Sequence, residues 1–403
     1  MANDGGLYVP KSFPNFSKIS SGDEFSMSKI GQKILEPFLE GDPLQKKLSD
    51  ITEKAFNFPI PLKFLDDETA VLELFHGPSL AFKDVGARFL AECAVSLDPK
   101  PRTVLVATSG DTGAAVAAAF LDKPKVEVVL LFPKERISSR QEKQLSSFGK
   151  NVRAFAVRGS FDDCQRMAKE AFTHEKWRSK NLMSANSINI GRILPQSLYY
   201  ALSSSIYFRE RGVAPGFIVP TGNLGNALAA LWAKQMGFPI RKVVLACNAN
   251  RPIVDFFDTK TFRARASILT LANAMDVGNP SNFERMMHLY QEDFERLTRD
   301  VAAYSVSDAE IRKSIADSMK RYGEIWCPHT ATAAHVRETY LRESKSEPWI
   351  IVATAHPAKF ETIVEPIIGA NIPLPEGFAK LLQQPSKLEE IDPRLEALES
   401  SLS

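Results

Sequence analysis

Phe217-Ile218-Val219 is apolar at every position, turns at Pro220-Thr221-Gly222-Asn223-Leu224-Gly225-Asn226, and continues into a helix-length segment, Ala227 to Met236. A strand with one wet face alternates apolar and polar residues. A run without alternation suits a strand covered on both sides, as in a parallel sheet flanked by crossover helices. The same grammar recurs on either side of this stretch, in Thr103 to Ala107, Val126 to Phe132, Val152 to Val157, Lys242 to Cys247 and Trp349 to Ala353, with helix-length segments between most of them. The pattern predicts an α/β architecture of doubly wound parallel sheets. The turn itself is informative. Its glycines let backbone N–H groups approach an anion closely, and the following helix presents its positive end. It has neither the Walker lysine nor a complete G-x-G-x-x-G, which leaves a phosphate cup for something smaller than a nucleotide.

Ligands of such sheets bind beyond the carboxyl ends of the strands, so the other post-strand segments matter most. After Ala107 comes Thr108-Ser109-Gly110-Asp111-Thr112-Gly113, opening a small-residue helix, Ala114 to Phe120. Small hydroxyl residues and glycine at a helix start expose N–H groups to an anion, although an ordinary capped turn reads the same way. In Glu73-Leu74-Phe75-His76-Gly77-Pro78-Ser79-Leu80-Ala81-Phe82-Lys83-Asp84, Ser79 can cap a helix whose first turn carries Lys83. The helix field and apolar neighbours such as Phe82 disfavour an ammonium there and favour a nucleophilic amine. A snorkelling surface lysine is the plain alternative. Ala353-Thr354-Ala355-His356-Pro357-Ala358-Lys359-Phe360 places a hydroxyl and an imidazole at a strand end, where a capped turn with a solvated histidine is equally readable. Ser184-Ala185-Asn186-Ser187-Ile188-Asn189-Ile190-Gly191-Arg192 gathers amides, hydroxyls and a guanidinium that suits either a phosphate or a structural ion pair.

Bulk properties bound the rest. With 403 residues and 44% hydrophobic content the chain can fold as several domains with buried cores. A formal charge of +2, spread in alternating signs, offers no stripe for nucleic acid. Four dispersed cysteines (Cys93, Cys164, Cys247, Cys327) make neither a zinc pattern nor a disulfide framework, and the six histidines include no His-x-x-x-His pair, so no catalytic metal is expected. The N-terminus lacks secretory order and no apolar run is long enough to span a bilayer, which points to the cytoplasm and to no membrane partner. Residues 1–69, broken by Pro14, Pro37, Pro43, Pro59 and Pro61, read as an N-terminal cap or small domain. Residues 70–102 and 182–403 read as the large domain, with a smaller α/β domain, 103–181, inserted in it. The stretch Pro280 to His335 reads as helix-rich and charged, and the segment after Pro373 as an acidic surface tail.

Together these strings resemble the threonine synthases, a family of the fold-type-II pyridoxal-phosphate enzymes that also include tryptophan synthase β and serine dehydratases. The resemblance runs from Asp4-Gly5-Gly6-Leu7-Tyr8-Val9-Pro10 to His356-Pro357-Ala358-Lys359-Phe360, through Leu271-Ala272-Asn273-Ala274-Met275-Asp276-Val277 and Pro328-His329-Thr330-Ala331. It implies conversion of O-phosphohomoserine and water to threonine and phosphate. Lys83 then looks like the lysine that holds pyridoxal 5'-phosphate covalently, Gly222, Asn223, Leu224, Gly225 and Asn226 like the cup for its phosphate, and Thr354 like the group facing its pyridine nitrogen. By the same resemblance Asp111 approaches the phenolic oxygen and Ser109, Gly110, Asp111 and Thr112 receive the substrate carboxylate, while Asn186, Ser187 and Arg192 are candidates for the substrate phosphate. A monomer or homodimer is expected. Two rivals share the fold: a phospho-lyase giving 2-oxobutyrate, and a non-catalytic binding protein. Asn226 and Cys327 stand where this branch commonly has aspartate, Ser79, Thr221 and Leu224 replace the more frequent threonine, serine and phenylalanine, and the chain starts almost at Asp4, without the short strand and helix that relatives carry upstream.

Overall fold

The computed structural model describes residues 5–17, 26–97, 100–108, 110–134, 137–341 and 347–402. The strands in chain order are β1 (Leu62–Phe64), β2 (Thr69–Glu73), β3 (Arg102–Ala107), β4 (Val126–Pro133), β5 (Val152–Val157), β6 (Leu182–Ser184), β7 (Gly216–Pro220), β8 (Val243–Cys247), β9 (Val301–Ser305), β10 (Trp349–Ala353) and β11 (Leu388–Ile391). They form two sheets. The larger runs β1-β2-β10-β7-β8-β9 and is parallel except for β1, which pairs antiparallel with β2. The smaller, β11-β5-β4-β3-β6, is parallel throughout.

Both sheets are covered on two faces, as the unbroken apolar runs require. In the larger, Leu72, Phe217, Val219, Leu245 and Val352 enter one core, and Val71, Ile218, Val244 and Ile351 enter the opposite one. In the smaller, Val104, Val128 and Leu130 face one side while Leu105, Val129 and Leu131 face the other. Alternate residues therefore bury on opposite sides of one sheet. The N-terminal helices Met27–Leu35 and Leu48–Ala55 add Ile30, Ile34, Leu48 and Ile51 to the first core of the larger sheet.

The domain limits read from sequence shift accordingly. β1 lies within residues 1–69 yet belongs to the larger sheet, and β6, just beyond 181, belongs to the smaller one. The segment after Pro373 is not a loose tail: β11 pairs with β5, and the helix Leu395–Leu402 buries Leu395 and Leu398 against the small sheet. Its charges misled because β11 is an edge strand, with Glu389 and Glu390 exposed and only Ile391 buried. Strand β9 likewise interrupts the stretch expected to be helical, since an edge strand that is half-exposed for most of its length needs no continuous apolar run. Among the described residues no helix is long and apolar enough to cross a membrane.

Candidate active site

The chain after β2 folds back along the chain after β10. Leu74 N–H donates to Ala353 O (2.9 Å), Phe82 N–H to Thr354 O (2.8 Å) and His356 N–H to Leu80 O (3.0 Å), with a bridge between Ala81 and Ala355. This brings Lys83 beside Thr354. The helix Lys83–Leu97 begins at the lysine itself, and Ser79 is not its cap. Ser79 N–H donates to Asp84 Oδ2 (2.9 Å), while the Ser79 hydroxyl is buried without a partner among the described residues. The cause is the tight turn at Leu80, φ 59°, which lets Asp84 reach back over Gly77, where a Cβ would lie 2.4 Å from Asp84 Oδ2. Burial pushes Asp84 up to about 6. Lys83 Nζ has no hydrogen bond or ion pair among the described residues and sits 5.6 Å from the Phe82 ring centroid. Burial pushes its pKa down to about 8, with Asp111 opposing and Arg192 and Lys359 assisting.

On the larger sheet, the turn after β7 meets the helix Gly225–Gln235 with no side-chain cap and with Leu224 in the left-handed region, φ 61°. A Cβ at residue 222 would stand 2.7 Å from Met275 Cα and O, so only glycine fits against that backbone. Asn223 locks the turn: its Nδ2 donates to Ser187 Oγ (2.5 Å), its Oδ1 accepts from Ser281 N–H and Oγ, and its carbonyl accepts from Asn282 Nδ2 (3.0 Å). The side chain of Asn226 departs from the reading as a cup ligand. It points into the core, where Oδ1 accepts from the hydroxyls of Tyr199 and Tyr200, and its Nδ2 is buried without a partner among the described residues.

On the smaller sheet, Thr108 Oγ1 accepts from the N–H groups of Gly110 (3.0 Å) and Gly113 (2.8 Å) at the start of the helix Asp111–Phe120. Thr112 is partly buried in the helix's first turn. Ser109 lies outside the described residues. Gly110 has φ 128°, and a Cβ there would sit 2.7 Å from Gln141 Nε2. Asp111 is buried and pairs with the fully buried Lys359, Nζ to Oδ1 2.7 Å, while Lys359 also donates to Ser79 O at 2.8 Å. Burial would raise the Asp111 carboxyl, but Lys359 and Lys83 outweigh it and hold it well below the usual range.

The third side comes from residues 184–192. Asn186 Nδ2 donates to Ala107 O (3.0 Å), tying this segment to the end of β3. Arg192 is buried; it donates through Nη1 to Ala185 O, its Nε has no partner among the described residues, and burial pushes it down to about 10. Arg285, not singled out from sequence, donates to Ser187 O (3.1 Å), Ile188 O (2.8 Å) and Asn282 Oδ1 (2.8 Å). His329, noted only as part of a string, accepts from Ala274 N–H at Nε2 (3.1 Å), and burial pushes it down to about 4. His356 caps the turn Pro357–Phe360, its Nδ1 accepting from Ala358 N–H (3.2 Å), and so acts structurally. Among the described residues no group of three or more His, Cys, Asp or Glu is placed to hold a metal ion.

This geometry has relatives. Residues 60–355 match the family of pyridoxal-phosphate dependent enzymes, residues 1–56 the threonine synthase N terminus, and residues 330–401 the threonine synthase C-terminal region. The chain belongs to the threonine synthase family. Threonine synthase from Haemophilus influenzae is 40% identical over 97% of this chain and 92% of its own. Crystal structures of threonine synthase from Escherichia coli (TM-score 0.89, 34% identity, 100% of this chain and 94% of that one) and of pyridoxal-phosphate-bound threonine synthase from Brucella melitensis (TM-score 0.90, 30% identity, 99% and 93%) share the whole fold.

The residues present fit the family's cofactor. A lysine amine without a hydrogen bond among the described residues suits an aldehyde, and a buried helix start with no side-chain cap suits an anion that would satisfy its N–H groups. Lys83 would hold the aldehyde carbon and the backbone around Gly222 to Gly225 the phosphate.

Proposed function

We propose that this chain is a pyridoxal-phosphate-dependent lyase that converts O-phosphohomoserine and water to threonine and phosphate, with Lys83 as its catalytic residue. The observation that carries this reading is a half-buried lysine amine that has no hydrogen bond or ion pair among the described residues, with its pKa pushed down to about 8, in a site that also contains an uncapped helix terminus. The bound cofactor supplies a carbonyl for amine exchange and a conjugated ring that draws electron density from the substrate's Cα.

Each demand of the reaction then has a group in this chain. Lys83 Nζ, depressed toward neutrality, takes the Cα proton and later returns it, an exchange that an amine of ordinary pKa performs poorly near pH 7. The start of the helix Asp111–Phe120, with Gly110 and Thr112, receives the substrate carboxylate. Asn186, Ser187 and Arg192 receive the γ-phosphate and stabilise it as it leaves, as fixed donors that need no reorganisation. Asp111, kept ionised by Lys359, would hold the cofactor's phenolic side, and Thr354 would offer its pyridine nitrogen a hydroxyl and no full negative charge. In support of a reducing, cytoplasmic setting, the four cysteines are free and buried. The partner is the small-molecule substrate, and we take the working unit to be a monomer or homodimer.

Incubation with O-phosphohomoserine followed by amino-acid and phosphate analysis tests the reading. Threonine and phosphate in equal amounts are expected; phosphate with 2-oxobutyrate would assign a lyase that hydrolyses the intermediate instead. Lys83→Ala should abolish both turnover and the visible absorbance of the lysine-bound cofactor, and a retained band would remove Lys83 from its role.

A further inference from the structure

Behind the phosphate cup lies a positive charge that no acidic side chain among the described residues answers. Arg285 is 1% exposed. Its Nε donates to Tyr8 O (2.9 Å), Nη1 to Ser187 O (3.1 Å) and Asn282 Oδ1 (2.8 Å), and Nη2 to Ile188 O (2.8 Å). Every partner is a neutral oxygen. Burial lowers its pKa only to about 10, so the guanidinium stays protonated at neutral pH. A desolvated charge with neutral partners alone is costly, and an anion nearby would offset that cost.

The neutral partners lead directly to the site. Asn282, whose Oδ1 accepts from Arg285, donates through Nδ2 to Asn223 O (3.0 Å) and to Ser187 Oγ (3.4 Å), and Asn223 Nδ2 donates to the same Ser187 Oγ (2.5 Å). Arg285 thus grips the backbone of residues 187 and 188 and, through one amide, the turn at Asn223. A salt bridge to a carboxylate would have neutralised this charge inside the scaffold; carbonyls and an amide leave it uncompensated, and hydrogen-bonded chains polarise along their length.

We propose that Arg285 is a positioning residue for phosphate recognition, acting through Asn282, Asn223 and Ser187 to make the cofactor turn and the substrate-phosphate segment one rigid, positively biased unit. This rests on the reading that phosphate esters occupy that turn and segment. Arg285 thereby gives the site a preference for phosphorylated ligands, beyond mere support of the fold.

The test compares capture of pyridoxal phosphate and of pyridoxal, which has the same aldehyde and no phosphate, by cofactor-stripped protein, read from absorbance. Arg285→Gln should weaken pyridoxal phosphate on the order of 10- to 100-fold, the range for losing a hydrogen bond to a charged group, while pyridoxal changes little. Arg285→Lys should restore part of the preference, and in Arg285→Gln the KM for O-phosphohomoserine should rise more than kcat falls. Equal losses for the two aldehydes would make Arg285 a scaffold residue only and overturn the proposal. Should Arg285→Gln fail to fold, Asn282→Ala cuts the same relay with the arginine left in place, and an unchanged preference there would overturn it equally. Absence of any lysine-bound band in the unaltered protein would instead defeat the underlying assignment of the cofactor site, a separate result.

Discussion

The turns after β3 and after β7 are built from the same parts, a strand end, small residues and a helix start, yet they leave different backbone donors open. After β3 the hydroxyl of Thr108 already consumes the N–H groups of Gly110 and Gly113, and the helix opens with the carboxylate of Asp111. After β7 no side chain caps the helix, no acidic residue stands in its first turn, and Asn223 is pinned from three directions. A dianionic phosphate suits the second, where a whole helix terminus is open and the field is unopposed. A singly charged carboxylate suits the first, where fewer donors remain and the local acid must be held in balance by Lys359. The lesson is that a glycine-rich strand-to-helix turn acquires its ligand from what already occupies its donors.

The contrast can be broken most severely at Lys359. Lys359→Met leaves Asp111 buried without its partner, so we expect a loss of ~3–5 kcal/mol in stability by denaturant or thermal unfolding at neutral pH. The sign with pH follows from the shift. In the native protein Asp111 is depressed, so its ionised form stabilises the fold at all pH values above the unfolded carboxylate pKa and that contribution fades only under strong acid. Without Lys359, burial raises Asp111 instead, and the deficit of the variant should shrink as pH falls and the carboxyl takes a proton. A deficit independent of pH would separate the two residues' roles.

On the other turn, Gly222→Ala drives a Cβ against the Met275 backbone, 2.7 Å from its Cα and O. Overpacking of about 1–3 kcal/mol should appear as roughly 10- to 100-fold weaker cofactor binding by absorbance titration, with the KM of the remaining holoenzyme nearly unchanged. Thr108→Val has the smallest expected effect. Loss of one helix cap costs about 1 kcal/mol, and it should raise the KM for O-phosphohomoserine several-fold while cofactor affinity stays the same. Reversed signatures for these two variants would dissolve the distinction between the turns.

Much of this was written in the order of residues. The unbroken apolar runs at β3, β4, β5, β7, β8 and β10 declared a parallel architecture because both of their faces must be buried. Short or edge strands did not declare themselves. β1, β6 and β11 have three or four residues, and half-buried or exposed positions within them need no apolar run. Lys83 was legible as an oddly placed lysine, and its depressed pKa agrees with the direction expected from its surroundings.

What sequence alone determined is the local chemistry: which stretches are strands covered on both sides, which strand ends turn into helices through small residues and glycine, and which lysine stands at a helix start. Only the tertiary structure decided what those groups face. Lys359 meets Asp111 and Ser79, Arg285 meets Tyr8 and Ser187, and Asn226 turns inward to two tyrosines, across separations of 26 to 280 residues along the chain. The physical reason is that helix and strand periodicity is set by neighbours a few residues away, whereas the neutralisation of a buried charge depends on whichever side chains the packed sheets bring to it.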